Sequence, residues 1–122
     1  MSDVRVIENV LRSGFEVNDV EWTSWTEPGR EGVEHHVLWA PDALGEDSVC
    51  LLLRFLPGAH GDFHEHLGYE LMLVLDGTLD HSDGRSFPKG TLVVEDPGTR
   101  HQMSSARGCT VLAVRSRPAE AR

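Results

Sequence analysis

Short runs of strand-forming residues, each ended by a Gly or Pro turn signal, recur along this chain of 122 residues. Residues 49–56 have the pattern of a buried strand that ends at Pro57-Gly58, and residues 69–75 form a second run that turns at Asp76-Gly77, a dipeptide common in hairpins. No segment keeps a helical period for more than two turns. The pattern predicts an all-β fold, a small antiparallel sandwich or barrel in a single domain.

The barrel is expected to occupy most of the chain. We assign residues 1–20, which are polar and mixed, to an N-terminal segment, residues 21–117 to the barrel and residues 118–122 to a frayed tail. Cys50 and Cys109 belong to no Cys-x-x-Cys pair and follow no export signal. We therefore expect two reduced, buried thiols.

Acidic residues outnumber basic ones by 20 to 11, which makes the formal net charge −9. Nucleic acids and anionic membrane surfaces bind proteins through a positive field, so the charge argues against both as partners. No apolar run approaches the roughly 18 residues that a membrane helix needs, and the N-terminus lacks the pattern of a secretory signal. A cytoplasmic protein is the expectation.

Histidine and carboxylate side chains are concentrated around residues 64–70. His64 and His66 are two positions apart, so on a strand both imidazoles enter the same space. Glu70 begins the next apolar strand, and His101 follows the tight Asp96-Pro97-Gly98 turn. Two or three imidazoles and a carboxylate are good ligands for a divalent first-row metal, and a metal-free, hydrogen-bonded polar cluster is the alternative.

This arrangement matches the first motif of the cupin superfamily, G-x5-H-x-H-x3-E-x6-G, in every spacing. The matching residues are Gly58, His64, His66, Glu70 and Gly77. By this motif the chain is identified as a member of the cupin superfamily. The resemblance implies a double-stranded β-helix, the cupin jelly roll, with the metal inside the barrel.

The second cupin motif is matched less closely. Gly90, Pro97-Gly98 and His101 resemble it, but the Pro and Gly are adjacent and Ser105 stands where Asn is usual. Neither departure affects a metal ligand. The resemblance implies that His64, His66, Glu70 and His101 bind the metal.

A closer resemblance to ChrR-type cupins covers nearly the whole chain. That subgroup includes the zinc-binding half of ChrR-type anti-sigma factors, and acetylacetone-cleaving iron dioxygenases are similar. A length of 122 residues is expected to hold only the cupin, so sigma-factor binding is not carried over. The residues that carry the resemblance are Trp22-Thr23-Ser24-Trp25, Pro28-Gly29, Gly32-Val33, Leu38, Pro97-Gly98-Thr99-Arg100-His101 and Gly108-Cys109.

Three His and one Glu would leave up to two coordination positions open on an octahedral metal ion. Two functions follow from the resemblance and from these open positions. The first is a metal-dependent enzyme, a dioxygenase or related oxidoreductase acting on a small enolisable carbonyl compound, with Fe2+ as the expected ion and Zn2+, Ni2+ or Mn2+ as alternatives. The second is a non-catalytic metal- or ligand-binding sensor module. Both imply a small-molecule ligand.

Strand parity selects the residues that would line the substrate pocket. Met72 and Val74 share the parity of Glu70, and Met103 lies beside His101. His35 and His36 are adjacent on a strand, and His35 is expected to be the one that faces inward. Arg54 interrupts an apolar strand, where it would anchor an anion. A solvated or ion-paired cation is the alternative for Arg54.

The opposite face of residues 69–75 is also apolar. Tyr69, Leu71, Leu73 and Leu75 would need a cover, either the Trp22–Trp25 segment or a second subunit. This surplus of apolar surface predicts a homodimer. His81, between two Asp-Gly dipeptides, is expected at the surface.

Overall fold

The computed structural model describes residues 4–11, 16–25, 30–41, 48–61, 64–66, 68–116 and 119–121, and for residues 64–66 and 119–121 it describes the backbone alone. The described part of the chain contains no helix with the length and apolar character that crossing a bilayer requires. The strands, in chain order, are β1 (Thr23–Ser24), β2 (Glu31–Trp39), β3 (Val49–His60), β4 (His64–His66), β5 (Glu70–His81), β6 (Ser86–Pro88), β7 (Leu92–Glu95), β8 (Arg100–His101), β9 (Met103–Ser105), β10 (Cys109–Arg115) and β11 (Ala119–Ala121).

Antiparallel pairing joins these strands into a small barrel. The larger sheet has the order β1-β2-β3-β10-β5-β6, with β7 beside β5. Because β9 pairs with both β3 and β5, the strands β3, β10, β5 and β9 form a closed ring. A smaller sheet has the order β11-β4-β8. The all-β prediction is confirmed, whereas the predicted C-terminal tail contains a strand, β11, that pairs with β4.

The core lies between the inner faces of the ring strands. Along β10, Cys109, Val111 and Ala113 are buried in alternation with less buried neighbours, as expected for a strand with one face on a core. Cys109 and Cys50 are both free thiols. The hydrophobic core cluster contains Val33, Val49, Leu51, Phe55, Ala59, Met72, Val74, Leu79, Met103, Cys109, Val111 and Ala113.

The turn predicted at Asp76-Gly77 is wrong, because β5 continues through it to His81. Gly77 has φ +76°, and a Cβ at this position would overlap the carbonyl oxygen of Gly108. The register between β5 and β10 also shifts at Thr110. The Asp-Gly pair therefore serves a close approach of two strands within the barrel, where only glycine fits.

The end predicted for the preceding strand at Pro57-Gly58 is also wrong. β3 continues to His60, and the pairing between β2 and β3 slips between Glu31 and Val33. The extra residues of β3 form an irregularity that includes Pro57 and Gly58, which has φ +84°. Proline has no N–H to donate to a regular ladder, and it is tolerated there because the pairing is interrupted at this irregularity.

Apolar side chains are exposed on the outer face of the larger sheet. Five of them, each more than a third exposed, lie on or beside β5, β7 and β10, and we call them the outer patch. Leu75, which was expected to share this exposed face, is buried. The outer patch consists of Tyr69, Leu71, Leu92, Val94 and Val114.

Candidate metal centre and cavity

A cavity of about 50 Å³ lies within the barrel and is lined by residues from β2, β3, β5, β8, β9 and β10. Two of the predicted metal ligands, Glu70 and His101, line it together, as do the cations Arg30 and Arg115. Donor and charged groups thus converge on one small space with an apolar wall. That wall contains Trp25, Val33, Leu53, Phe55, Met72 and Met103.

Glu70 is the first residue of β5 and is only 5% exposed. Its register partner on β10 is Arg115, whose Nε lies 3.5 Å from Glu70 Oε2. Burial raises the pKa of the Glu70 carboxyl to about 7, although the positive charges of Arg115 and His101 act in the opposite direction. Because positive charges lower this pKa, a metal ion bound beside Glu70 would favour the ionised carboxylate.

His101 is fully buried on the short strand β8. Its Nδ1 lies 2.6 Å from Oε1 of Glu95, which ends β7 and is itself buried. A carboxylate close to one ring nitrogen orients the imidazole and raises its basicity at the other nitrogen. Glu95, which the sequence analysis did not single out, is thus a partner of a predicted ligand.

His81 is also close to this pair, and the expectation that it lies at the surface is wrong. Its side chain is only 10% exposed, and its ring lies edge-on to the ring of His101 at a centroid distance of 5.3 Å. The backbone N–H of Asp83 donates to Nδ1 of His81 over 3.0 Å, and Nε2 lies 3.7 Å from Glu95 Oε1. Donor atoms of His81, Glu95 and His101 lie within 4.8 Å of one another.

The chemistry of these groups fits a divalent metal. Buried imidazole nitrogens and carboxylate oxygens are the ligands that first-row metals bind, and His101 belongs both to the predicted set and to the His81–Glu95–His101 group. Among the described residues, His101 and Glu70 line the cavity, whereas His81 and Glu95 do not. A metal that also binds a substrate needs open positions facing a cavity.

The side chains of His64 and His66 lie outside what the structure describes. The backbone of β4 pairs with β8, and this pairing places His64 opposite His101. On its other side β4 pairs with β11, with His66 opposite Ala119. The motif-bearing strand is therefore adjacent to the strand that carries the fully buried His101.

The predicted pocket residues are distributed between the cavity and its surroundings. Met72 and Met103 line the cavity, and Val74 belongs to the adjoining core. The ring of His35 packs against Trp25, with centroids 4.9 Å apart. Arg54 is held elsewhere: its Nη2 lies 2.7 Å from Glu34 Oε1, and its guanidinium stacks over the ring of Trp22.

The cavity also contains charged residues that the sequence analysis missed. Arg115 has the same strand parity as the buried Cys109, Val111 and Ala113, so alternation along β10 was a signal that it faces inward. Arg30 precedes β2 and stacks over Trp25, with its Cζ 3.8 Å from the ring centroid. No local pattern marks Arg30, because only the closed barrel brings it to the cavity.

The fold is shared with several solved structures. A cupin-like protein from Thermotoga maritima superposes with a TM-score of 0.73 at 21% identity, over 86% of this chain and 88% of that one. An acetylacetone dioxygenase from Acinetobacter johnsonii reaches a TM-score of 0.74 at 13% identity, over 97% and 83% of the two chains.

A chain in the structure of Rhodobacter sphaeroides SigE in complex with the anti-sigma ChrR is 27% identical, with a TM-score of 0.65. The alignment covers 80% of this chain and 49% of that chain. A comparison with curated proteins finds no significant match. The family of ChrR cupin-like domains matches residues 12–119, which is most of the sequence. The chain therefore belongs to the ChrR cupin-like domain family.

Proposed function

We propose that this cupin is a metal-dependent enzyme, a dioxygenase or related oxidoreductase that acts on a small enolisable carbonyl compound. The observation that carries the proposal is the cavity in which the Glu70 carboxylate and the His101 imidazole meet an apolar wall. Metal donors beside a cavity with an apolar wall suit a ligand that binds through oxygen atoms and packs its carbon atoms against that wall. The fold likeness to the Acinetobacter johnsonii acetylacetone dioxygenase is in keeping with this chemistry.

In this proposal His64, His66, Glu70 and His101 hold the metal, with Fe2+ as the ion. When bound, the metal would supply Lewis acidity toward an enolisable carbonyl group and a centre for dioxygen chemistry. Glu95 keeps the His101 ring in place, while Met72 and Met103 contact the carbon skeleton of the substrate and exclude water. Zn2+, Ni2+ or Mn2+ in the same ligands would support binding or isomerisation instead.

The test combines metal analysis with oxygen uptake. Protein purified without a His tag and loaded anaerobically with Fe2+ is mixed with a panel of β-dicarbonyl compounds in air. We expect stoichiometric iron and oxygen consumption in the wild type, and loss of both in His101→Ala. His36→Ala is the matched control, because His36 contacts the Glu21 carbonyl oxygen and lies outside the cavity lining that the structure describes. Iron-loaded wild type without oxygen uptake on the whole panel would refute the dioxygenase function.

The alternative is a non-catalytic metal-binding sensor. It is favoured by the ChrR cupin-like family match and by the 27% identity to a chain of the SigE–ChrR structure. A sensor is expected to retain Zn2+ tightly during purification and to show no turnover. Metal identity in untreated protein, followed by the oxygen assay, separates the two functions.

We also propose that the protein is a homodimer that buries the outer patch. Leu71 and Val94 are register partners on β5 and β7, so the patch is a continuous strip of neighbouring strands rather than scattered side chains. Apolar contact between two copies removes this strip from water without bringing charged side chains of the patch together. Sedimentation equilibrium should give twice 13.5 kDa, and Leu71→Asp should give 13.5 kDa. A monomeric wild type at micromolar concentration would contradict the proposal.

A further inference from the structure

The cavity contains more positive charge than a neutral carbonyl ligand requires. Arg30 and Arg115 both line it, and Glu70 is the one acidic group among its described lining residues. Histidine ligands are neutral when they bind a metal, so a divalent ion would add two further positive charges. The excess stands out in a chain whose net charge is −9.

Arg115 is largely buried at this cavity. Its side chain is 13% exposed, and within the described part of the chain its buried Nε makes no hydrogen bond. The contact of this Nε with Glu70 Oε2 is 3.5 Å, longer than the 2.7–2.9 Å of a well-formed charge-assisted hydrogen bond. A buried guanidinium with hydrogen-bonding capacity in reserve is a binding group for a planar oxyanion.

Trp25 fixes the second cation at the same cavity. The Cζ of Arg30 lies 3.8 Å from the centroid of the Trp25 ring, and that of Arg115 lies 5.7 Å away. Stacking holds a guanidinium in one place against the face of the indole. Both cations of the cavity therefore lie near the ring of Trp25, which is part of the apolar wall.

We propose that the ligand of this cavity is a small oxo-carboxylate, whose carboxylate binds Arg115 and whose carbonyl oxygen faces the metal ligands Glu70 and His101. This inference rests on the proposed function for the carbonyl group, and it adds the carboxylate. A cavity of about 50 Å³ limits the ligand to a few non-hydrogen atoms. A neutral diketone would leave the Arg115 Nε–H, which makes no hydrogen bond among the described residues, without a charged acceptor at hydrogen-bond distance.

The test compares 3-oxobutanoate with pentane-2,4-dione. The two have the same number of non-hydrogen atoms, and only the first carries a carboxylate. Binding is measured by calorimetry on zinc-loaded protein, so that no oxidation accompanies it. We expect the wild type to bind 3-oxobutanoate about tenfold or more tightly than the diketone, because a charge-assisted pair at a desolvated site contributes at least that factor.

Variants identify which cation causes the preference for 3-oxobutanoate. Arg115→Met should reduce the preference to within about twofold, and Arg115→Lys should restore part of it. Arg54→Met is the matched control, since Arg54 also stacks on a tryptophan and pairs with a glutamate but lies outside the cavity lining. Because Arg115→Met removes the cation that faces Glu70, the double variant Arg115→Met/Glu70→Gln removes both charges and should also lack the preference.

The results separate this inference from the proposed function. A wild type that binds both compounds equally, or an Arg115→Met variant that is folded and zinc-loaded but keeps the preference, would overturn the inference. A carboxylate preference that depends on Arg115, in a protein whose iron form consumes no oxygen, would support the inference and refute the dioxygenase function.

Discussion

Glu70 should make the metal-free protein less stable as the pH rises. Its side chain is buried beside Arg115, and burial raises the pKa of its carboxyl from the ordinary 4.5 to about 7. Between these values the native state binds the proton and the unfolded state releases it. The native state then holds more protons, so the free energy of unfolding falls with increasing pH.

The size of the effect follows from the same two pKa values. Each pKa unit corresponds to about 1.4 kcal/mol, so ionising Glu70 in the native state costs about 3 kcal/mol of stability by pH 8. The contribution of protonated Glu70 to stability is fully present below pH 4.5. It decreases as the pH rises and is lost once the pH has passed through about 7. Glu70→Gln keeps the shape of the side chain and removes the titration.

The assay is urea unfolding in a metal chelator at several pH values from 4.5 to 8. Relative to the wild type, Glu70→Gln should gain about 3 kcal/mol across this range. Glu31→Gln is the control, since the Glu31 side chain is 86% exposed, and its profile should parallel the wild type. A stability difference between Glu70→Gln and wild type that stays constant from pH 4.5 to 8 would refute the reasoning.

Three further perturbations test the metal centre, the strand contact and the core. Glu95→Gln should weaken metal binding about 10- to 100-fold in a chelator competition, whereas His81→Gln should change it by less than about threefold. If His81→Gln weakens metal binding as much as Glu95→Gln does, the metal would instead be assigned to the His81–Glu95–His101 group. Gly77→Ala should lower the free energy of unfolding by at least about 2 kcal/mol more than Gly84→Ala, because both have positive φ but only Gly77 meets neighbouring backbone. Leu79→Ala, at a fully buried position, should cost about 2–5 kcal/mol in urea unfolding, and a loss below about 1 kcal/mol would mean that this side chain is not in the core.

Much of the fold was readable from local pattern. Strand-forming runs separated by turn residues predict an all-β chain, and the spacing from Gly58 to Gly77 indicates the cupin arrangement. Alternation also indicates that Glu70 and Met72 face the same side, and both line the cavity. These features depend on neighbours in the sequence, because successive side chains of a strand point to opposite faces.

The ends of strands were harder to predict, because the dipeptide Asp-Gly occurs both at a turn and within a strand. Asp-Gly ends a strand at Asp83-Gly84, where residues 82–84 form a turn, but at Asp76-Gly77 β5 continues. The difference is Gly108, whose carbonyl oxygen occupies the space that a Cβ of residue 77 would need. Gly77 is required by a contact with a residue 31 positions away, and no local signal distinguishes it from a hairpin glycine.

The sequence by itself determined that this is an all-β cupin with histidines and a glutamate suited to a metal, because motif spacing and strand parity are properties of adjacent residues. Only the tertiary structure decided the electrostatic character of the cavity. Closure of the barrel brings Arg115 opposite Glu70, Glu95 to within 2.6 Å of His101, and Arg30 onto Trp25. Each of these contacts depends on which strands become neighbours and in what register, and that choice is made by burial of the whole core rather than by any one segment.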